Sequence, residues 1–317
     1  MSETTAVAAV DCGTNSTRLL VVATSGEVVA REMRITRLGA GVDATRRLQP
    51  EAIARTLEVL GEYRAIMDAA GVGRARLVAT SAVRDAANRD AFLEPASGVV
   101  GVRAELLSGE QEGRLSYAGA TADLPPLDGQ TVVVDIGGGS TEIVTMAGGD
   151  IAAVSLDIGC VRLTERFLRG DPPSQAEVAD AVGAIGRELD RATSEIPSLG
   201  ALGPRDRLVG LAGTVSTLAA LELGLTGYER DRIHHSVLSR HAVEKWCDVL
   251  GTERVRERAQ RVAITEGRQD VIFGGALVLR ECLSRFELAE CIVSEADILD
   301  GLVLSQGAAG SQGAAAR

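Results

Sequence analysis

The eight residues VDCGTNST at 10–17 return as VDIGGGST at 134–141. Valine, aspartate, glycine, serine and threonine keep their register, so that Asp11 stands against Asp135 at an offset of 124 residues. Solenoid periods run at about 20–50 residues, so a repeat this long marks a duplicated domain instead. In each copy an apolar run stops at an acid, a glycine-containing loop follows, and apolar residues resume after two hydroxyls. Two common phosphate loops are excluded. A P-loop needs Gly-Lys-Ser/Thr. A Rossmann turn needs a helix N-terminus directly after the glycines. The pattern here predicts a hairpin between two strands.

The rest of the chain supports two α/β copies. The first opens with a β-meander, AVAAVD, STRLLVVATS and EVVAREMRITRLG, turning at Gly13–Asn15 and Ser25–Gly26. A helix ending at Gly71 follows, then strand–turn–helix over RARLVATSAVRDAANRDAFLEPA, a strand, and a helix opening near Ser108. The segment DLPPLDGQ at 123–130 is a proline-marked break and the expected boundary. The meander then restarts. Helices are expected around 160–169, 174–195, 239–265 and 269–285, with RLVGLAGTVSTLAALELG reading as strand, glycine turn, helix. AECIVSEADILDGLVLSQ is a final strand and helix. The expected organisation is an N-terminal domain over 1–125, a C-terminal domain over 126–306, and a low-complexity disordered tail over 307–317.

The loops are suited to anions. Glycine lets the backbone approach closely and adopt positive φ, and consecutive amides form an anion-binding nest. Gly13, Thr14, Asn15, Ser16 and Thr17 of the first loop and Gly137, Gly138, Gly139, Ser140 and Thr141 of the second are therefore candidate phosphate contacts, the side chains adding donors. Asp11 and Asp135 cannot bind phosphate themselves. Beside one they serve as ligands of Mg²⁺ or another divalent cation, or as holders of a water. Glu142, one residue past Thr141, is a further metal candidate through water; otherwise it is a solvent-facing strand residue.

Net charge of −11 argues against a generic nucleic-acid or anionic-membrane partner. No window reaches the ~18 apolar residues of a membrane span. Five scattered cysteines without a C-x-x-C pair point to a reducing cytoplasm, and against a disulfide frame or zinc site. With 3% aromatics the core must be aliphatic. His234, His235 and His241 lack metal-site spacing and receive no catalytic role. In ERVRERAQR (253–261), Arg254, Arg256, Arg258 and Arg261 read as a solvated helix face, or else as a basic rim for a polyanion.

Eight segments in order carry a resemblance: VDCGTNSTRLLV, ATSAVRDAAN, LSGEQEGRLSYAGA, VVDIGGGSTEIV, SLDIGCVRLTERF, LAGTVSTLAAL, GRQDVIFGGALVL and VSEADILDGLV. Paired phosphate hairpins resemble those of actin, sugar kinases and heat-shock chaperone ATPases. Within that superfamily the chain resembles the exopolyphosphatase / guanosine pentaphosphate phosphatase family in its short, two-domain form. The resemblance implies duplicated actin-like, ribonuclease H-like α/β domains with a cleft between them, and a homodimer. It implies Glu112 as general base for water attack on a terminal phosphoryl group; without it, Glu112 is an acid favoured by a helix N-terminus. This chain has Gln111–Glu112–Gly113 where the family often has two acids and alanine. Arg84 is a phosphate clamp on this reading, and a surface partner of Asp85 or Asp90 otherwise. The amides at Gly213 and Thr214 line a channel for polyphosphate or nucleotide, or Gly213 merely permits strand–helix packing. The activity expected is release of orthophosphate from inorganic polyphosphate, of short chains in view of the chain's length. Guanosine pentaphosphate is the alternative substrate. An ATP-dependent kinase and a non-catalytic phosphate or alarmone sensor are the remaining rivals.

Overall fold

The computed structural model describes residues 6–147 and 149–314. They divide into two compact units: residues up to Ala122 together with those from Asp297 onward, and Asp123–Ala296.

Unit 1 contains β1 (Ala6–Cys12), β2 (Ser16–Ala23), β3 (Val28–Ile35), α1 (Val42–Thr45), α2 (Pro50–Ala69), β4 (Val72–Ala79), α3 (Ser81–Asp85), α4 (Asp90–Val100), β5 (Ala104–Leu106) and α5 (Gly109–Thr121). Its sheet runs β3-β2-β1-β4-β5, the first three strands antiparallel and the others parallel. Unit 2 contains β6 (Thr131–Ile136), β7 (Thr141–Ala147), β8 (Asp150–Leu156), α6 (Cys160–Phe167), α7 (Gln175–Glu195), β9 (Arg207–Leu211), α8 (Ala212–Glu222), α9 (Arg230–Ile233), β10 (Val237–Ser239), α10 (Arg240–Thr252), α11 (Val255–Arg258), α12 (Ile272–Arg285) and β11 (Glu290–Val293). Its order, β8-β7-β6-β9-β11-β10, repeats the first with an antiparallel strand added at the edge. The duplication expected from one octapeptide thus extends to whole sheets of ribonuclease H-like order. No helix among the described residues is long and apolar enough to cross a membrane.

The last helix, α13 (Ile298–Ala314), returns to unit 1. The central strand β1 explains why. Ala8, Val10 and Cys12 face a core shared with Leu60, Tyr63 and Phe92, whereas Ala9 faces the opposite side with Leu20 and Val78. A strand flanked on both sides needs cover on both faces. Ile298, Leu299 and Leu302 supply the second cover. Assigning 297–306 to the C-terminal domain is therefore corrected: chain order does not show which sheet face lacks a lid. The tail expected to be disordered from 307 is helical as far as Ala314, continuing α13 despite Gly307, Gly310 and Gly313; residues 315–317 lie outside the described ones.

Contact between α13 and α5 is backbone to backbone. A Cβ on Gly301 would lie 2.0 Å from the Leu115 carbonyl oxygen, and one on Gly119 would lie 2.0 Å from that of Asp297. The helix that carries Glu112 is thereby fixed on unit 1.

Candidate active site

The two hairpins close by the same bond. Gly13 N–H donates to Ser16 O at 3.0 Å, and Gly137 N–H donates to Ser140 O at 3.0 Å. The segment that leaves the third meander strand backs each loop. In unit 2 the carbonyl of Gly137 accepts from Cys160 N (3.0 Å), and that of Gly138 from Val161 N (2.9 Å) and Arg162 N (3.1 Å). The carbonyl of Gly139 accepts from Arg162 Nε (2.5 Å). A trans peptide points its N–H opposite to its C=O. The amides of Gly138, Gly139 and Ser140 consequently all point away from α6, as a nest of donors. Gly159 permits this close approach, because a Cβ there would meet Gly138 O at 2.5 Å. In unit 1, Thr14 O accepts from Gly39 N (2.8 Å), and Asn15 O accepts from Thr36 N (3.1 Å) and Arg37 N (2.9 Å). The amides of Asn15 and Ser16 are turned outward by the same logic. Asn15 is 8% exposed, and among the described residues its Nδ2 finds no acceptor.

Strand alternation separates the hydroxyls. Thr17 Oγ1 pairs with Thr36 Oγ1 at 2.9 Å, and Thr141 Oγ1 donates to Ile158 O at 2.7 Å. Both threonines are fully buried. The expectation that Thr17 and Thr141 give hydroxyl donors to phosphate is corrected: they tie each hairpin to the exit of its third strand. Ser16 and Ser140 point to the opposite face. Thr14 turns its methyl toward Gly39.

The two aspartates have opposite neighbours. Asp11 is cross-strand partner of Arg18, whose Nε and Nη2 donate to Asp11 Oδ2 at 3.1 and 2.7 Å. Arg18 also pairs with Asp297. Burial pushes the Asp11 carboxyl above its ordinary range, with Arg18 pulling the other way; among the described residues Asp11 Oδ1 has no partner. Asp135 is cross-strand partner of Glu142. Directly opposed residues have Cβ atoms about 4.5–5.5 Å apart, and like charges there are destabilising. Both acids are buried, Asp135 at 8% and Glu142 at 1% exposure, and Ser155 Oγ donates to Glu142 Oε1 at 2.7 Å. Glu142 is not a solvent-facing strand residue. Sequence reading passed over Arg18 and Asp297, although Arg18 lies at the register position of Glu142, 124 residues earlier.

Arg84 and Glu112 meet. Arg84, near the end of α3, donates from Nη1 to Glu112 Oε2 at 3.1 Å and to Leu107 O at 3.0 Å. Its partner is Glu112, not Asp85 or Asp90; Asp85 pairs with Arg46 at 3.7 Å. Ser108 caps α5 in a capping box with Gln111: Gln111 N donates to Ser108 Oγ at 3.2 Å, and Ser108 N to Gln111 Oε1 at 2.9 Å. The residue standing for the first acid is thus consumed by the cap. Glu112, one position later with its side chain 12% exposed, lies on the arginine side.

Arg268 packs its guanidinium over Gly213, where a Cβ would overlap it at 1.3 Å, and Thr214 turns its side chain into Gly275 of α12. Their N-terminal amides in α8 have no side-chain cap. The arginine-rich segment is not a uniform solvated face, and the helix expected over 239–265 is interrupted at 253–254, between α10 and α11, and ends at Arg258. Arg258 is 2% exposed and donates to Leu250 O (2.9 Å) and Gln269 O (3.3 Å), holding the loop before α12. Asp123, His234 and His235 cluster within ligand distance. His234 Nδ1 accepts from Glu295 N–H at 3.0 Å, so in the neutral ring Nε2 bears the proton, 2.8 Å from Asp123 Oδ2. A metal on Nε2 would require that proton at Nδ1, against another donor, which opposes ligation.

The model of the Ppx/GppA phosphatase family matches residues 19–308. Exopolyphosphatase 2 of Mycobacterium tuberculosis is 44% identical, over 95% of this chain and 98% of its own. A guanosine-5'-triphosphate,3'-diphosphate pyrophosphatase of Photobacterium profundum is 32% identical over 68% of this chain and 43% of its own. The crystal structure of an exopolyphosphatase-like protein, 34% identical, covers 96% of this chain and 99% of its own with a TM-score of 0.91. The chain belongs to the Ppx/GppA phosphatase family.

Proposed function

We propose that the chain is an exopolyphosphatase that hydrolyses the terminal phosphoanhydride of inorganic polyphosphate, in the reducing interior of the cell. The observation that carries this reading is the twice-built hairpin whose amides are turned outward by bonds on its carbonyl side. Such donors suit a run of phosphates with no base or sugar to recognise. The likeness to an exopolyphosphatase along almost its whole length supports polyphosphate over guanosine pentaphosphate. The pentaphosphate reading keeps a partial-length relative in its favour.

On this reading Asn15, Ser16 and the amides of Gly138, Gly139 and Ser140 hold phosphate oxygens. Glu112 takes the proton of the attacking water, and Arg84, which donates to its Oε2, orients that carboxylate. Asp135 and Glu142 would hold Mg²⁺: two buried, opposed carboxylates fit a cation with oxygen ligands. Asp11, whose Oδ2 is held by Arg18, is left out of that set. When bound, the ion offsets phosphoryl charge. Most of the acceleration then comes from positioning and charge stabilisation.

The test is phosphate release from tripolyphosphate, long polyphosphate and guanosine pentaphosphate, each with Mg²⁺ and with chelator. Faster release from a polyphosphate, lost in chelator and restored by Mg²⁺, is expected. Release confined to the pentaphosphate would establish the alternative.

A further inference from the structure

The unit 2 loop is held from its carbonyl side by three main-chain donors and one side chain. Any residue at 160–162 can provide the main-chain bonds. The bond from Arg162 Nε to Gly139 O, by contrast, depends on residue type. It fixes the peptide between Gly139 and Ser140, whose N–H completes the nest. Gly139 lacks a Cβ, so without this bond little opposes rotation of that peptide. Rotation would turn a carbonyl oxygen toward a bound anion. The donor is also a cation, 5% exposed at the side chain, with Asp157 at 3.7 Å from its Nη1. A charged donor on a carbonyl polarises the peptide and strengthens the N–H on its other side.

We propose that Arg162 is a positioning residue for phosphoryl transfer: it aims the Ser140 amide at the substrate and strengthens it as a donor, without touching substrate itself. This rests on the reading of the loop as a phosphate cradle. The effect belongs to the turnover step, because a fixed donor gains most where charge develops.

The experiment measures kcat and KM for phosphate release from tripolyphosphate by wild type, Arg162→Gln, Arg162→Lys and Glu112→Gln, each checked by its thermal melt. The Gln variant keeps a neutral donor, and Lys keeps a charged one. Loss of one oxyanion donor costs about 100–1000-fold, so weakening one is expected to lower kcat about tenfold in Arg162→Gln. KM should stay within about threefold, and Lys should recover part of the loss. If Glu112→Gln is inactive while Arg162→Gln has wild-type kcat, the role of Arg162 is overturned and the active-site reading survives. Equal losses in Gln and Lys would reduce Arg162 to a packing role and overturn it too. If Glu112→Gln is fully active, the active-site reading fails and takes this role with it. Should the Gln variant not fold, Arg162→Met takes its place, a side chain of similar length with no donor: a wild-type kcat there overturns the proposal.

Discussion

Asp11 and Asp135 occupy one register position in two copies, yet the residue across the strand is an arginine for one and a second carboxylate for the other. The two copies share the backbone device, while Arg18 in one and Glu142 in the other give the aspartates different cross-strand partners. The Asp11 carboxyl can be followed by pH. Burial raises it from an ordinary 3.8, so the folded state binds its proton more tightly than the unfolded state does. Stability from this group is therefore greatest at low pH and declines as pH rises through the raised value. Asp11→Asn removes that dependence. The melting temperature of the variant minus that of wild type should become more positive from about pH 4 to pH 7; a difference that grows more negative would contradict the assignment. Sequence reading found the acids but treated every hydroxyl of the loops alike. Which of Ser16 and Thr17 is free follows from strand alternation, but only once the position where pairing resumes is known.

The recurring unit at the level of elements is a strand hairpin with a third-strand exit pressed against its loop. That contact needs small residues, and the need is visible at Gly39 and Gly159, where a Cβ would meet Thr14 Cγ2 at 2.4 Å and Gly138 O at 2.5 Å. Gly159→Ala should push α6 off the loop carbonyls, costing about 1–3 kcal/mol as an overpacking change. Urea unfolding with phosphate-release assays would check it: a lowered midpoint together with reduced kcat is expected. An unchanged kcat would mean that the loop is not held from α6. The meanders and most helices were legible because their apolar patterns are regular. The Arg258 segment was not, since interleaved charges look solvated whether or not one arginine turns inward to hold a neighbouring loop.

For the molecule as a whole, one repeated octapeptide was enough to anticipate two sheets of common strand order. It could not show that α13 completes the first unit, because that depends on which face of β1 is left uncovered. Family membership was legible from eight ordered segments. Gln111, by contrast, departs from the family's usual acid yet makes the capping bond that an acid there would also make. The proposed activity depends on Glu112 as the group that activates water. Its most direct test is Glu112→Gln in Mg²⁺, comparing tripolyphosphate turnover with tripolyphosphate affinity by calorimetry. The account predicts turnover reduced about 100–10,000-fold with affinity within a fewfold of wild type; turnover at the wild-type rate would contradict it.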